Sequence, residues 1–510
     1  MFFHFKIIVI SFWEILDIVT HFHGFKIVKY LIALIYLTIF LVEDVSAQDT
    51  WAKRLPGIGS FSSPRIADLN NDSIGDIILG AGRKEFQSCD SAVVALNGKT
   101  GELIWKVSAR DQIFGSAALK DINHDGIMDV FINGRSAELI AIDGYSGKVI
   151  WRFQKPKKQE KEWFNFYNPQ FIPDQNNDGQ DDILISNGGD VLAEPYDSNR
   201  PPGHLVILDG TNGNLISRAP MPDGGETYMS VAVLPNHSNR FKNVIFGTGG
   251  ETLEGNLFVT SLAEIKSGNL SKSEKLASGK NKGFVGPAAW VDINGDSQHD
   301  IIANAVDGRI LAFDGYTHEP IWTVMVPNAE AYSSLAIGLF TNDSIPDFFV
   351  SFAQGTWPNL DWSKQVMIDG QKGAIVYEDN LGFYQMSTPV VADLNGDGRD
   401  EALLPINYQI LNEFEMKFFY NNIMAIEFTE KISAKLDLDY EGNNLSSTPW
   451  IGDLDNNGFL DIVYVHGTNS KQTYTFDGLQ INRIDTQFPV TGKISWGAYM
   501  GSSYNGVYNK

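Results

Sequence analysis

Asp121-Ile122-Asn123-His124-Asp125-Gly126-Ile127-Met128-Asp129-Val130-Phe131-Ile132 sets four oxygen-bearing side chains and a glycine into nine residues and then runs straight into an aliphatic strand. Positions 1, 3, 5 and 9 of the stretch offer side-chain oxygens, position 7 offers a backbone carbonyl, and the glycine at position 6 suits a sharp turn. One copy of such a pattern means little, because Asp and Asn are good turn formers in their own right. Here the pattern recurs. Asp68, Asn70, Asp72 and Asp76 precede Ile77-Ile78-Leu79, and Asp174, Asn176, Asp178 and Asp182 precede Ile183-Leu184-Ile185, with 53 residues from each first Asp to the next. Asp292, Asn294, Asp296 and Asp300, then Asp393, Asn395, Asp397 and Glu401, then Asp453, Asp455, Asn457 and Asp461 complete six copies.

Two further positions keep the strand and lose the ligands. In one, Leu339 replaces the first Asp ahead of Thr341, Asp343 and Asp347; in the other, Asn243-Val244-Ile245-Phe246-Gly247 follows a loop with no acid. Ser73 and Ser297 stand at position 6 in two of the six intact loops, which predicts weaker sites there.

Each loop and strand is followed by a hairpin signature: an alternating apolar strand, an Asn-Gly or Asp-Gly turn, and a second strand that often ends in Trp. Examples are Asn97-Gly98 with Gly101 and Trp105, Asp143-Gly144 with Gly147 and Trp151, and Asp314-Gly315 with Trp322; Asp209-Gly210, Asp369-Gly370 and Asp477-Gly478 are further copies. A unit of four strands and no convincing helix is the content of one propeller blade, and such sheets must stack around an axis to bury both faces. The fold class expected is therefore all-β, a β-propeller of eight blades. Seven is the alternative if residues 231–277 are an insertion. Ring closure is expected between Trp51-Ala52-Lys53-Arg54-Leu55 and Ile494-Ser495-Trp496-Gly497-Ala498-Tyr499.

The loop-and-strand half resembles the FG-GAP or VCBS repeats of integrin α-chain propellers, and the hairpin half resembles the blades of quinoprotein-like propellers. The first resemblance implies Ca²⁺ held within the blades and roles in adhesion or structure. The second invites an enzyme reading, yet the quinone-dependent dehydrogenases with a vicinal disulfide need adjacent cysteines, and Cys89 stands alone. Cys89 itself is expected to be a buried or incidental thiol.

Composition sets limits on partners. The 39 Lys and Arg against 62 Asp and Glu give a net charge of -23, which speaks against nucleic acid and anionic membranes and for cations. With no internal disulfide available, stability must come from burial and bound metal.

Lys26 and Lys29 precede an apolar run over residues 30–42 that is followed, after Glu43 and Asp44, by Val45-Ser46-Ala47, the order of a secretory signal cut near Gln48. The run is short of a membrane span. The expected layout is a signal peptide over 1–47, with 1–27 read as an upstream extension, and a single calcium-binding propeller over 48–510, secreted or at the cell surface, with no membrane span in the mature chain. The alternative is an uncleaved anchor formed by both apolar stretches.

Aromatic residues Trp163, Phe164, Phe166 and Tyr167, and Trp357, Trp362 and Tyr384, mark two inserted loops that either form binding platforms or plug the core. His204, His237, His299, His318 and His466 are scattered and suggest neither zinc nor a catalytic dyad. Two functions stay open. The first is a non-catalytic module that binds an extracellular protein or carbohydrate. The second is a polysaccharide lyase-like enzyme, for which Lys53, Arg65, Arg135 and Arg309 would have to converge.

Overall fold

The structure is a computed structural model, described here over residues 50–157, 162–235, 237–238, 240–383, 386–471 and 476–509. The expected signal over 1–47, with its apolar run at 30–42, and Tyr384 lie outside these residues. Among the described residues no helix is long and apolar enough to cross a membrane.

Among the described residues thirty-four strands build six four-stranded antiparallel sheets and one ten-stranded sheet. The second sheet is typical: Ala118–Lys120, Asp129–Asn133, Leu139–Ile142 and Val149–Arg152, in that order. The aliphatic strand that follows each acidic loop is buried on both faces, as in Asp76–Gly80 and Asp129–Asn133, whereas an outer strand such as Leu103–Ala109 alternates between Trp105, Val107 and Ala109 inside and Leu103, Lys106 and Ser108 outside. Continuous apolar runs thus make the middle of each sheet and alternating ones its rim. The ten-stranded sheet consists of two meanders, Asp347–Thr356, Asn359–Asp369, Ala374–Phe383 and Glu401–Leu411, Lys417–Glu427, Ile432–Lys435, joined by the single pair Phe383–Asn407. Residues 231–277 form a four-stranded sheet of their own, with one short helix, Leu262–Lys266, beside it.

The recurrent Trp is a staple between sheets. Trp105 Nε1 donates to the Gly144 carbonyl (2.7 Å), Trp151 Nε1 to Gly210 (3.1 Å) and Trp322 Nε1 to Gly370 (2.8 Å), each reaching the turn of the next sheet. The same rings lie over Gly147, Gly213 and Gly373, which have φ of +67°, +71° and +62°, and where a Cβ would come within 2.6 Å of the indole or of the Trp105 Cβ. That close approach and that backbone both require glycine.

A second belt of contacts runs nearer the axis. Thr448 N–H donates to Ser63 Oγ, Ser63 N–H to Ser116 Oγ, Ser116 N–H to Asn168 Oδ1 and Asn168 Nδ2 to Ser230 Oγ; farther round, Ser334 Oγ donates to the Pro287 carbonyl, Ser334 N–H to Thr388 Oγ1 and Thr388 N–H to Thr448 Oγ1. The Thr448–Ser63 bond joins the two ends of the ring.

Closure differs from the expectation in one respect. Trp51–Pro56 is indeed the fourth strand of the last sheet, but its partner is Gly478–Pro489, with Trp51 opposite Arg483. Asp477-Gly478 accordingly opens that third strand and is not a turn between third and fourth strands. The segment at 494–499 goes elsewhere. Together with the residues up to 508 it touches the first strands of most of the sheets: Ile451 N–H donates to the Gly497 carbonyl, Val391 N–H to Trp496, Trp290 N–H to Gly506, and Gln170 Nε2 to Tyr504, while Trp496 Nε1 donates to Leu335 and Arg65 to Tyr499. A segment in contact with the innermost strand of so many sheets lies on the axis, and Trp496 (1% exposed) fills it.

Candidate metal centres

All six acidic loops take one backbone shape, and hydrogen bonds explain why. The first carboxylate accepts the N–H of residue 6 in every copy: Asp68 from Ser73 (2.8 Å), Asp121 from Gly126 (3.0 Å), Asp174 from Gly179 (2.8 Å), Asp292 from Ser297 (2.9 Å), Asp393 from Gly398 (3.0 Å) and Asp453 from Gly458 (3.0 Å). The oxygen at position 3 accepts from the N–H of residue 5, and the oxygen at position 5 from that of residue 7, as for Asn123 and Asp125 (2.9 Å each). Position 6 has positive φ throughout, +86° to +89° at Gly126, Gly179, Gly398 and Gly458, and Ser73 and Ser297 adopt the same region at +66° and +67°. Position 4 is left-handed as well, at Asn71, His124, Asn177, Gly295, Gly396 and Asn456.

The acid at position 9 plays a different part. It opens the buried strand, and its two oxygens tie the loop to the hairpin of the same sheet. Asp129 accepts from Ile122 N–H (3.0 Å) and from the turn residue Gly144 N–H (3.1 Å); Asp76 pairs likewise with Leu69 and Gly98, Asp182 with Gln175 and Gly210, and Asp300 with Ile293 and Gly315. Glu401 accepts from Leu394 N–H (2.7 Å) and from Asn395 Nδ2 (3.0 Å). Burial pushes these acids up, Asp76 and Asp300 to about 6 and Glu401 to about 7, and the neighbouring loop acids add to the shift.

Hard oxygen donors at positions 1, 3, 5 and 9 in a solvent-facing loop fit Ca²⁺, which takes six to eight oxygens. These same residues, with the carbonyl at position 7, would hold it, although among the described residues only Asp453, Asp455 and Asp461 bring three acidic oxygens within 4.8 Å of one another. The hairpin turn brings one more group that sequence reasoning treated only as a turn former: Asn123 Nδ2 donates to Asp143 Oδ2 and Asn176 Nδ2 to Asp209 Oδ2, both at 3.0 Å. Asp143 comes after two strands, Asp129–Asn133 and Leu139–Ile142, so no local spacing could have flagged it.

The sixth loop is built otherwise. Carboxylate oxygens of Asp453, Asp455 and Asp461 lie within 4.8 Å of one another, and the fully buried Arg483 reaches two of these acids, Nε to Asp461 (2.9 Å) and NH2 to Asp455 (2.6 Å). In the loop that has lost its first acid, Asp347 still binds Phe340, Thr341 and Gly370 N–H groups, while Leu339 N–H turns to Asp400 of the neighbouring meander.

The other candidates separate. Trp163, Phe166 and Tyr167 are buried core residues, and Cys89 is a buried free thiol. Trp362 is 61% exposed and lines a groove of about 570 Å³ with Phe383, Tyr408, Tyr420 and Ile410, edged by a Lys435–Asp439 ion pair. Three of the four cations named for an enzyme site are engaged one by one. Arg65 stacks on the Tyr504 ring at 3.9 Å and donates to Ala117, Arg135 pairs with Glu85, and Arg309 pairs with Asp307. Of the histidines, His318 meets Glu274 at 3.0 Å, a pair that sequence spacing did not reveal, and His466 is buried between Tyr440 and Tyr464.

The sequence profile of the FAM234A/B beta-propeller family matches residues 51–396. Human Protein FAM234B is 19% identical over an alignment of 416 positions that covers 72% of this chain and 61% of that protein, so the chain spans less than two thirds of that relative's length. Among solved structures, a europium-containing methanol dehydrogenase superposes with a TM-score of 0.56 at 11% identity, covering 86% of this chain and 94% of the other. A quinohemoprotein alcohol dehydrogenase of Pseudomonas putida HK5, ADHIIG, gives 0.52 at 11% identity, covering 89% and 78%. Identity this low speaks for the fold alone.

Proposed function

The chain belongs to the FAM234A/B β-propeller family, and we propose that it acts as an exported, calcium-loaded binding module of the FG-GAP kind, which recognises an extracellular protein or carbohydrate and catalyses nothing. The observation that carries this reading is the filled axis. The middle of a ring is where convergent polar groups and a substrate would meet, and here it holds the chain's own residues 496–508. Arg65, 2% exposed, is committed to Tyr504 and to two backbone carbonyls.

Recognition then falls to the faces and the rim, where the exposed ring of Trp362 and its neighbours offer apolar faces flanked by amide and charged groups, a surface suited to a sugar ring or an extended peptide. Calcium is supported by six loops of one shape with hard donors, and export by the apolar run ahead of Val45-Ser46-Ala47. Counting the two meanders of the ten-stranded sheet separately, we read eight blades.

The test is to offer the mature chain, with calcium, to acidic polysaccharides such as alginate, hyaluronan and polygalacturonate, and to follow both retention and unsaturated product. Retention of a glycan or matrix protein without product is expected. Formation of unsaturated product would overturn the non-catalytic reading in favour of a lyase.

A further inference from the structure

Five intact loops end on an acid that reaches the backbone or an amide of its own sheet, and four of those acids take a turn-glycine N–H from the hairpin between third and fourth strands. The sixth, Asp461, accepts the N–H of Leu454 at 2.8 Å but takes no turn-glycine N–H. Its sheet borrows the fourth strand, Trp51–Pro56, from the far end of the chain, so no hairpin turn faces Asp461. Arg483, on the third strand and directly opposite Trp51, fills the gap. Its Nε donates to Asp461 Oδ1 at 2.9 Å, NH2 donates to Asp455 Oδ2 at 2.6 Å, and NH1 crosses to the Gly98 carbonyl of the first sheet at 3.1 Å. That same carbonyl accepts Trp51 Nε1 at 2.9 Å.

The sequence of this loop is altered to match. In the five other copies position 3 is Asn and position 5 is Asp; here position 3 is Asp455 and position 5 is Asn457, so the carboxylate has moved to the side that the guanidinium reaches. Guanidinium is permanently charged and its fork suits two carboxylate partners, whereas desolvating three acids with no cation would be costly.

We infer that Arg483 is the built-in cation of the loop at 453–461, that this loop binds no calcium, and that it thereby locks the seam of the ring independently of metal. The inference rests on the calcium reading of the five other loops. The seam is the one place where the sheet is completed by strands from both ends of the chain, so a lock that cannot dissociate keeps the ring closed when calcium is withdrawn.

The experiment is a count of bound calcium by equilibrium dialysis and metal analysis on the full chain and on three variants. Asp121→Asn should bind one calcium fewer than the parent, Asp453→Asn should bind the same number, and Arg483→Met should bind one more, at the vacated loop. A calcium lost in Asp453→Asn, with one lost also in Asp121→Asn, overturns the inference and leaves the calcium reading standing. If the parent binds none, the calcium reading falls; a single calcium gained by Arg483→Met then still upholds the role of Arg483, and none gained overturns it. Should Arg483→Met fail to fold, Asp453→Asn decides, with Arg483→Lys as the charge-preserving variant expected to match the parent count.

Discussion

The loops at 121–129 and 453–461 begin alike, with the first acid accepting the N–H of residue 6 at 3.0 Å in both, and they finish differently. Asp129 is answered by a glycine N–H of its own hairpin; Asp461 is answered by a guanidinium that also binds the first sheet. In the calcium reading proposed above, one loop leaves its charge for an external cation. The other carries its cation in the chain, at the point where closure cannot be entrusted to a continuous hairpin. Local sequence sets the loop shape, then, while its position in the ring sets what neutralises it.

The largest effect should come from removing the acid that faces Arg483. Asp461→Ala would leave the buried guanidinium with Asp455 as its one carboxylate partner and is expected to cost about 4 kcal/mol, the range for breaking a buried ion pair. In calcium-free buffer Asp129→Ala leaves two N–H groups unpaired and should cost less, about 2–3 kcal/mol. Urea unfolding of both variants measures the difference, and equal losses would erase the distinction between the loops.

Acid should separate the two regions in another way. His466, 2% exposed in the closing sheet, is pushed down to about 4 by burial, against 6.5 when unfolded. A folded pKa below the unfolded one means that the unfolded chain takes the proton first, so stability is intact above pH 6.5 and is lost as pH falls from 6.5 to 4. The full loss is about 3 kcal/mol. Because the buried acids raised to about 6–7 act in the opposite sense over this range, the readout is the stability difference between the parent and His466→Gln, which should change by this amount between pH 6.5 and 4; a constant difference would assign the acid sensitivity elsewhere.

The smallest effect concerns the staples. Trp105→Phe deprives the Gly144 carbonyl of its indole donor and should cost about 1 kcal/mol. Trp51→Phe should cost less, because Arg483 NH1 still serves the Gly98 carbonyl. A greater loss at Trp51 would show that Arg483 does not support the seam.

The repeat made much of this architecture legible in advance. The acids, the left-handed position 6, the buried strands and the Gly-x-x-x-Trp hairpins are local patterns, and local patterns can be read from one chain. The partners of those patterns cannot. Asp143 approaches Asn123 only because two strands separate them by the right amount, and Trp105 meets Gly144 only across a sheet boundary. The closing strand was identified correctly at Trp51 and misassigned at its partner, since Ile494 and Trp496 read as a strand by apolar content alone, although their place is the axis. Arg483 was overlooked because no repeat copy contains an equivalent. The swapped Asp455 and Asn457 were its only trace in the loop.

Melting in calcium and in EGTA is the most direct test of the calcium-loaded ring. At calcium a hundredfold above Kd each occupied site adds about 2.7 kcal/mol, so EGTA should lower Tm strongly, added calcium should restore it, and equimolar magnesium should restore much less. A melting curve that is unchanged by EGTA and by calcium, in protein shown to be free of metal, would contradict calcium loading and leave the acidic loops as turns alone.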